Sequence, residues 1–201
     1  MPQRQLFLAS KSPRRAEILS KFNIPFHVIP NKLLEETLPL DKYTLRSSLK
    51  KLAKQKAIIS KSNNNGLILG VDTIVVLKNQ ILEKPQNLEQ AQQMLTQLSG
   101  NTHEVYSALC LYDTITNKSI SRSSKSIVTF KNLTNKEIFD YCTKYQVLDK
   151  AGAYAIQDIG DCFVTSLIGS YYNVMGLPIN TLLKLLKNYD IVWAVAKFSN
   201  I

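Results

Sequence analysis

Hydrophobic and polar positions along the chain alternate between strand-like and helix-like periods. Gln5-Leu6-Phe7-Leu8-Ala9 is a short apolar run of the kind that forms a buried strand. It ends in Ser10-Lys11-Ser12-Pro13, where Ser12 reads as a helix N-cap and Pro13 as the first residue of an amphipathic helix. Residues 26–29 form a short β-like segment before Pro30, and a loop through Glu35, Glu36 and Pro39 leads to a helix predicted over 43–60. A turn at 63–66 precedes the strand "LILGVDTIVVL", followed by a hairpin-like Lys78-Asn79-Gln80 and the stretch "ILEKP". Residues 88–98 read as a helix that Ser99-Gly100 stops. Strands are predicted over 103–112 and 120–130, a helix over 137–144, and a loop beside short strands in "LDKAGAYAIQDIGD". "CFVTSLIG" reads as another strand, and Pro178 opens a last helix with Leu182, Leu183, Leu185 and Leu186 on its apolar side. This mixed order predicts an α/β fold, a sheet covered by helices on both faces.

Two positions break the pattern. The run 67–77 is apolar except for Asp72 and Thr73 near its middle. An unpaired carboxylate inside a sheet is costly, which leaves two readings. Asp72 either faces a polar cleft at a strand end or bulge, where it could bind a metal or activate water, or caps a turn that splits the run. The second position is Lys56. With Leu45 at zero on a wheel of about 100° per residue, Leu49, Leu52 and Ala53 fall at about 40°, 340° and 80°, and Lys56 at about 20°. Lys50, Lys51 and Lys54 belong to the opposite, solvated side. Lys56 therefore lies within the buried stripe, where its ammonium either snorkels past the helix end or reaches an anion in a cleft.

Arg14 and Arg15 raise an electrostatic conflict. They occupy the first turn of the first helix, where the dipole is positive and outward N–H groups already favour anions. A bound polyanion would resolve it. Lys84, in "LEKP", is a further cation beside Glu83, and Gln157 could read a nucleobase edge by donating and accepting hydrogen bonds. His27 and His103 are isolated and read as structural.

Composition narrows the class without choosing the chemistry. The 201 residues suffice for one well-cored domain or two small lobes sharing a sheet. A net charge of +10 suggests anionic partners but does not choose among nucleic acid, membrane surface and small phosphates. No apolar run approaches the roughly 20 residues of a membrane span, and no signal-peptide core opens the chain, so a soluble cytoplasmic protein is expected. Cys110, Cys142 and Cys162 are too few and too widely spaced for a disulfide framework or a zinc site. Gly-rich phosphate loops of the Walker and dinucleotide kinds are absent from the sequence. A metal held by carboxylates, phosphates and water would be Mg²⁺ or Mn²⁺.

Seven segments in order, "LASKSPRR", "LKKLAKQKA", "LGVDTIVVL", "LEKP", "LSGNTHEV", "LDKAGAYAIQ" and "GSYYNVMGLP", resemble the Maf family of nucleoside triphosphate pyrophosphatases. The resemblance implies one Maf-like domain over 1–201, an elongated mixed α/β sheet similar to inosine triphosphate pyrophosphatases, with two lobes around a nucleotide cleft. It implies hydrolysis of a nucleoside triphosphate to monophosphate and pyrophosphate with a divalent cation, in a homodimer without membrane or nucleic-acid partners. The family's proton acceptor falls on Asp72, its specificity positions on Arg14, Thr73 and Gln157, and its phosphate-binding positions on Ser10, Arg14, Arg15, Lys56 and Lys84. Metal ligation is implied for Asp72 and, from the loop, Glu36.

Ser-Pro-Arg-Arg, Asp-Thr and Tyr-Ala-Ile-Gln look like the dTTP/UTP subgroup, with removal of non-standard nucleotides as a second role. Members resembling the 7-methyl-GTP group carry a bulky aromatic for the first arginine and Gln after the Asp. Lys51, Gln86-Asn87 and Ala155 depart from the usual pattern, and Ala155 neighbours the specificity loop. The rivals are the same fold acting on 7-methyl-GTP or other modified triphosphates, and a non-catalytic, division-associated nucleic-acid binder, for which turnover would be absent and binding salt-sensitive.

Overall fold

The structure, a computed structural model, describes residues 4–30, 44–61 and 65–189. Seven strands, β1 (Gln5–Ala9), β2 (His27–Ile29), β3 (Gly66–Leu77), β4 (Gln80–Leu82), β5 (Thr102–Asp113), β6 (Lys118–Phe130) and β7 (Val164–Ile168), form one mixed sheet. Their order is β2-β1-β3-β5-β6-β7, with β4 paired to β3 off this path. The helices are α1 (Pro13–Lys21), α2 (Leu45–Ile59), α3 (Leu88–Leu98), α4 (Asn135–Lys144), α5 (Ile156–Phe163), α6 (Tyr171–Val174) and α7 (Ile179–Leu186). Among the described residues no helix is long and apolar enough to cross a membrane.

The chain divides into two compact units, Met1–Asp72 with Ala108–Ser123 and Gly176–Ile201, and Thr73–Ser107 with Ser124–Met175. In the first, β1 runs parallel to β2 on one side and to β3 on the other. The chain leaves β1 by α1 toward β2, then returns across β1 by α2 to β3. With right-handed crossovers the two helices fall on opposite faces, which makes the carboxyl end of β1 a topological switch point. Open α/β sheets bind ligands in the crevice at such a point.

Helix α2 packs directly on β3. A Cβ at Gly70 would stand 2.1 Å from the carbonyl oxygen of Ala53 and 2.7 Å from the nitrogen of Ala57. Only a glycine opposite a helix face of alanines permits this approach. Leu49, Ala53 and Ala57 are fully buried on that face, as the 3.6-residue period requires.

In the second unit Lys78 and Asn79 take positive φ values of 47° and 68° in the tight turn between β3 and β4. Asn87 caps α3 through Gln90 N–H, and Thr134 with Glu137 forms a full capping box on α4. The "LDKAGAYAIQDIGD" segment departs from the loop predicted for it: a single 3₁₀ turn (Ala151–Ala153) is followed by α5. Small residues suit this because the segment is buried; Gly152 has φ 68°, and a Cβ there would press on Val75 at 3.1 Å. The strand predicted from Cys162 begins at Val164, since Cys162 and Phe163 finish α5. Beneath lies an aromatic cluster in which His103 meets Phe130 edge-on at 4.9 Å and 89°.

Candidate active site

The site begins with one strand's length. Asp72 lies inside continuous β3, so the turn that would have split the run does not form. β1 accompanies β3 from Gly66 to Gly70 and β4 from Val75 to Leu77, and Asp72 and Thr73 fall between these two pairings. They are also the two residues of β3 that are half-buried while the other ten are buried. Because Ala9 pairs with Gly70, the chain leaves β1 for the Ser10–Ser12 turn just before the level of Asp72.

Asp72 is two residues beyond Gly70 and shares its face of the strand. Lys56 is three residues beyond Ala53 and shares its face of α2. The close Gly70–Ala53 packing therefore aims the two side chains at each other, and Lys56 Nζ donates to Asp72 Oδ1. Of the alternatives left for the stripe lysine, the structure takes the one in which the ammonium meets an anion, which is Asp72 itself.

The Ser10–Arg15 turn supplies further donors. Ser12 occupies the N-cap position with extended backbone, but its side chain makes no capping hydrogen bond. Its backbone N–H donates instead to Ser10 Oγ at 3.2 Å. Arg15 reaches back to donate from Nη1 to the same oxygen at 2.8 Å, and from Nε to the carbonyl of Gly176 at 3.0 Å. Ser10 is buried and accepts twice, so its one hydroxyl hydrogen is left to be donated elsewhere. Burial pulls the Arg15 guanidinium down to about 10, with the Asp72 charge opposing that fall and the Arg14 charge adding to it. Arg15 is held by Ser10 Oγ and the Gly176 carbonyl, and both it and Arg14 beside it in the first turn are half-buried.

In the second unit the expected residues lie on three segments. Thr73 is on β3, with Oγ1 2.9 Å from Ser107 Oγ. Lys84 follows β4 and is exposed, while Gln157 is exposed as the second residue of α5 rather than in a loop. The backbone joins two of these segments, since Gly152 N–H donates to the carbonyl of Glu83 at 3.1 Å. The loop acid Glu36 lies outside the described residues, as does Glu35.

The model of the Maf-like protein family matches residues 5–189. The chain belongs to the Maf-like family. Relatives named dTTP/UTP pyrophosphatase match it over nearly their whole length. One from Clostridium perfringens (strain ATCC 13124) is 43% identical over 93% of this chain and 98% of its own. One from Bacillus cereus (strain G9842) is 42% identical over 94% and 97%, and one from Bacillus anthracis is 41% identical over the same shares.

Within this Maf-like chain the described residues contain no group of three or more His, Cys, Asp or Glu that could hold a metal ion. Among the described residues, the carboxylate that the hydrogen bonds and charges tie to this site is Asp72. That suits a cation whose remaining ligands are substrate phosphates and water, as Mg²⁺ commonly takes, and not one that needs a protein cage.

Sequence reasoning passed over the polar residues behind Thr73. Ser107 and Asn173 are fully buried, and Ser126 nearly so. Ser107 and Asn173 are polar residues within apolar stretches, the same signal that singled out Asp72, whereas Ser126 follows a polar run. The Ser170 cap of α6 belongs with them, its Oγ accepting from Asn173 N–H at 3.3 Å.

Proposed function

We propose that the chain hydrolyses nucleoside triphosphates to the monophosphate and pyrophosphate, with dTTP and UTP as its substrates, the activity for which its relatives are named. One observation carries the reading: among the described residues the carboxylate Asp72 is bound by Lys56 and feels the charge of Arg15, which Ser10 in turn holds, so that groups able to donate to oxyanions gather at the switch point. Such a cluster is suited to a polyphosphate and to one acid–base step.

In this mechanism Asp72 accepts a proton from the water that attacks the α-phosphorus, and the bond from that phosphorus to the bridging oxygen breaks as pyrophosphate leaves. Lys56 fixes the orientation of the carboxylate. Arg15, anchored through Ser10 Oγ and the Gly176 carbonyl, presents a half-buried positive charge that is only partly screened by water. The Ser10 hydroxyl hydrogen and the first turn of α1 add donors to the same anion. Asp72 would hold a Mg²⁺ or Mn²⁺, which when bound supplies charge neutralisation on the phosphates. Glu36 is proposed as a second acidic ligand. Arg14, Thr73 and Gln157 are the proposed base-discriminating positions, and Lys84 a further phosphate contact. The three cysteines are free thiols, which fits a reducing cytoplasm, the compartment we assign.

The test is a panel of nucleoside triphosphates, 7-methyl-GTP included, assayed for pyrophosphate with Mg²⁺ and with Mn²⁺. Pyrophosphate from dTTP and UTP is expected. Preference for 7-methyl-GTP would overturn the substrate, and no turnover of any member would overturn the enzyme reading in favour of a binding protein.

A further inference from the structure

The turn before α5 holds a backbone that its sequence does not favour. Gly152 and Ala153 are both left-handed, with φ values of 68° and 62°. Glycine adopts this freely, whereas the Cβ of an alanine makes it strained. Such strain persists only where the surroundings over-determine it. Here three hydrogen bonds do so. Gly152 N–H donates to the Glu83 carbonyl at 3.1 Å, Ala153 N–H to the Lys150 carbonyl at 3.0 Å, and Ala155 N–H to Tyr141 Oη at 3.1 Å.

Lys150 is the least ordinary of these partners. Its side chain keeps 7% of its exposure, a rare state for a lysine. The ammonium folds back on its own loop, donating to the Gln146 carbonyl and, at 2.8 Å, to Asp149 Oδ1. Lys150 N–H donates to the Val147 carbonyl at 3.2 Å. An apolar side chain would fill the same space without the cost of desolvating a charge. What the lysine adds is a cross-brace, which ties residues 146–150 into one turn and presents the Lys150 carbonyl to Ala153.

The strained turn also joins two segments. Its Gly152 N–H holds the residue just before Lys84, and Gln157 follows Ala153 by four positions, in the first turn of α5. We propose that Lys150 is a positioning residue for substrate binding: by bracing the 146–150 turn it holds the left-handed Gly152–Ala153 pair, and with it the spacing between Lys84 and Gln157. That spacing matters to a ligand gripped at base and phosphates together, a nucleotide, and not to a bare polyphosphate. The inference rests on the proposed function, in which Lys84 meets phosphate and Gln157 the base.

The experiment measures kcat and KM for dTTP and UTP with Mg²⁺, and the inhibition constant of inorganic triphosphate against dTTP, in the wild type, Lys150→Met and Asp149→Asn. Lys150→Met fills the space without donating. It is expected to raise KM for both nucleotides about tenfold, the worth of one lost hydrogen bond, and to leave the inhibition constant of triphosphate unchanged. A merely structural role would lower kcat through the fraction unfolded and leave KM alone. An unchanged KM, or equal rises in KM and in the inhibition constant, overturns the proposal while leaving the proposed function standing. If Lys150→Met does not fold, Asp149→Asn decides, since its half-exposed carboxamide still accepts from the ammonium but without the charge. Its KM for dTTP should rise severalfold against an unchanged triphosphate constant, and an unchanged ratio of the two overturns the proposal. A wild type that hydrolyses neither nucleotide overturns the underlying reading and the inference together.

Discussion

Lys56 on α2 and Asp72 on β3 form an ion pair whose side chains keep only 20% and 17% of their exposure. The pair is too sheltered to count as a surface salt bridge and too open to carry the full desolvation penalty of a buried one. Asp72→Asn is therefore expected to cost about 1–2 kcal/mol of stability, leaving the fold intact, while pyrophosphate release falls to background. Lys56→Met, which keeps the apolar stem, should lower kcat but leave measurable turnover, because the carboxylate remains. Thermal unfolding and a pyrophosphate assay on both proteins check this. Full activity in Asp72→Asn would remove Asp72 from the mechanism.

Arg15 spans Ser10 Oγ and the Gly176 carbonyl with two different nitrogens of one planar group. A lysine keeps the charge but presents a point ammonium in place of a fork. Arg15→Lys should therefore leave the fold in place and raise KM for the triphosphate roughly tenfold, the loss of one charge-assisted hydrogen bond. Steady-state kinetics with dTTP, beside a circular dichroism spectrum, measure it. An unchanged KM would mean that the fork serves only to hold α1.

What could be read in the sequence was whatever has a short period or an out-of-place charge. β1, α2 and α3 were legible because of their apolar spacing, and Lys56 because it lies within an otherwise apolar stripe. Its partner was not legible: only the three-dimensional contact of Gly70 with Ala53 aims it at Asp72. Helix α5 was missed because the small residues before it read as turn formers, although one of them, Gly152, is small to fit against Val75. Ser107 carries the same signal as Asp72, a small polar residue within an apolar strand, but its partner was not legible, because Asn173, whose carbonyl accepts from it, is distant in sequence.

Gly70 is a test of that contact. Gly70→Ala would place a methyl group 2.1 Å from the Ala53 carbonyl oxygen, which is backbone and cannot rotate away. Helix α2 must shift, at a cost of about 3 kcal/mol or more, typical of overpacking at its upper end. The shift also carries Lys56 away from Asp72, so activity should fall further than the fraction unfolded explains. Urea unfolding with a parallel pyrophosphate assay reads both, and native stability in Gly70→Ala would show that the helix can retreat without cost.

His103 makes the stability of the second unit pH-dependent in a predictable direction. It is buried, its Nε2 lies 2.7 Å from Tyr154 Oη, and burial pushes its pKa down from 6.5 to about 4. As pH falls below 6.5 the unfolded chain takes up a proton on this imidazole while the native protein does not. Stability is therefore complete above pH 6.5 and lost progressively as pH falls toward 4, by on the order of 3 kcal/mol in total. His103→Phe lacks the titration. It loses the partner of Tyr154 at every pH, a constant cost of about 1–2 kcal/mol, but escapes the acid-side loss. Urea midpoints at pH 8 and pH 5 should show the wild type ahead at pH 8, with its lead reduced or reversed at pH 5. Parallel pH profiles for the two proteins would mean that His103 already takes its proton in the folded state.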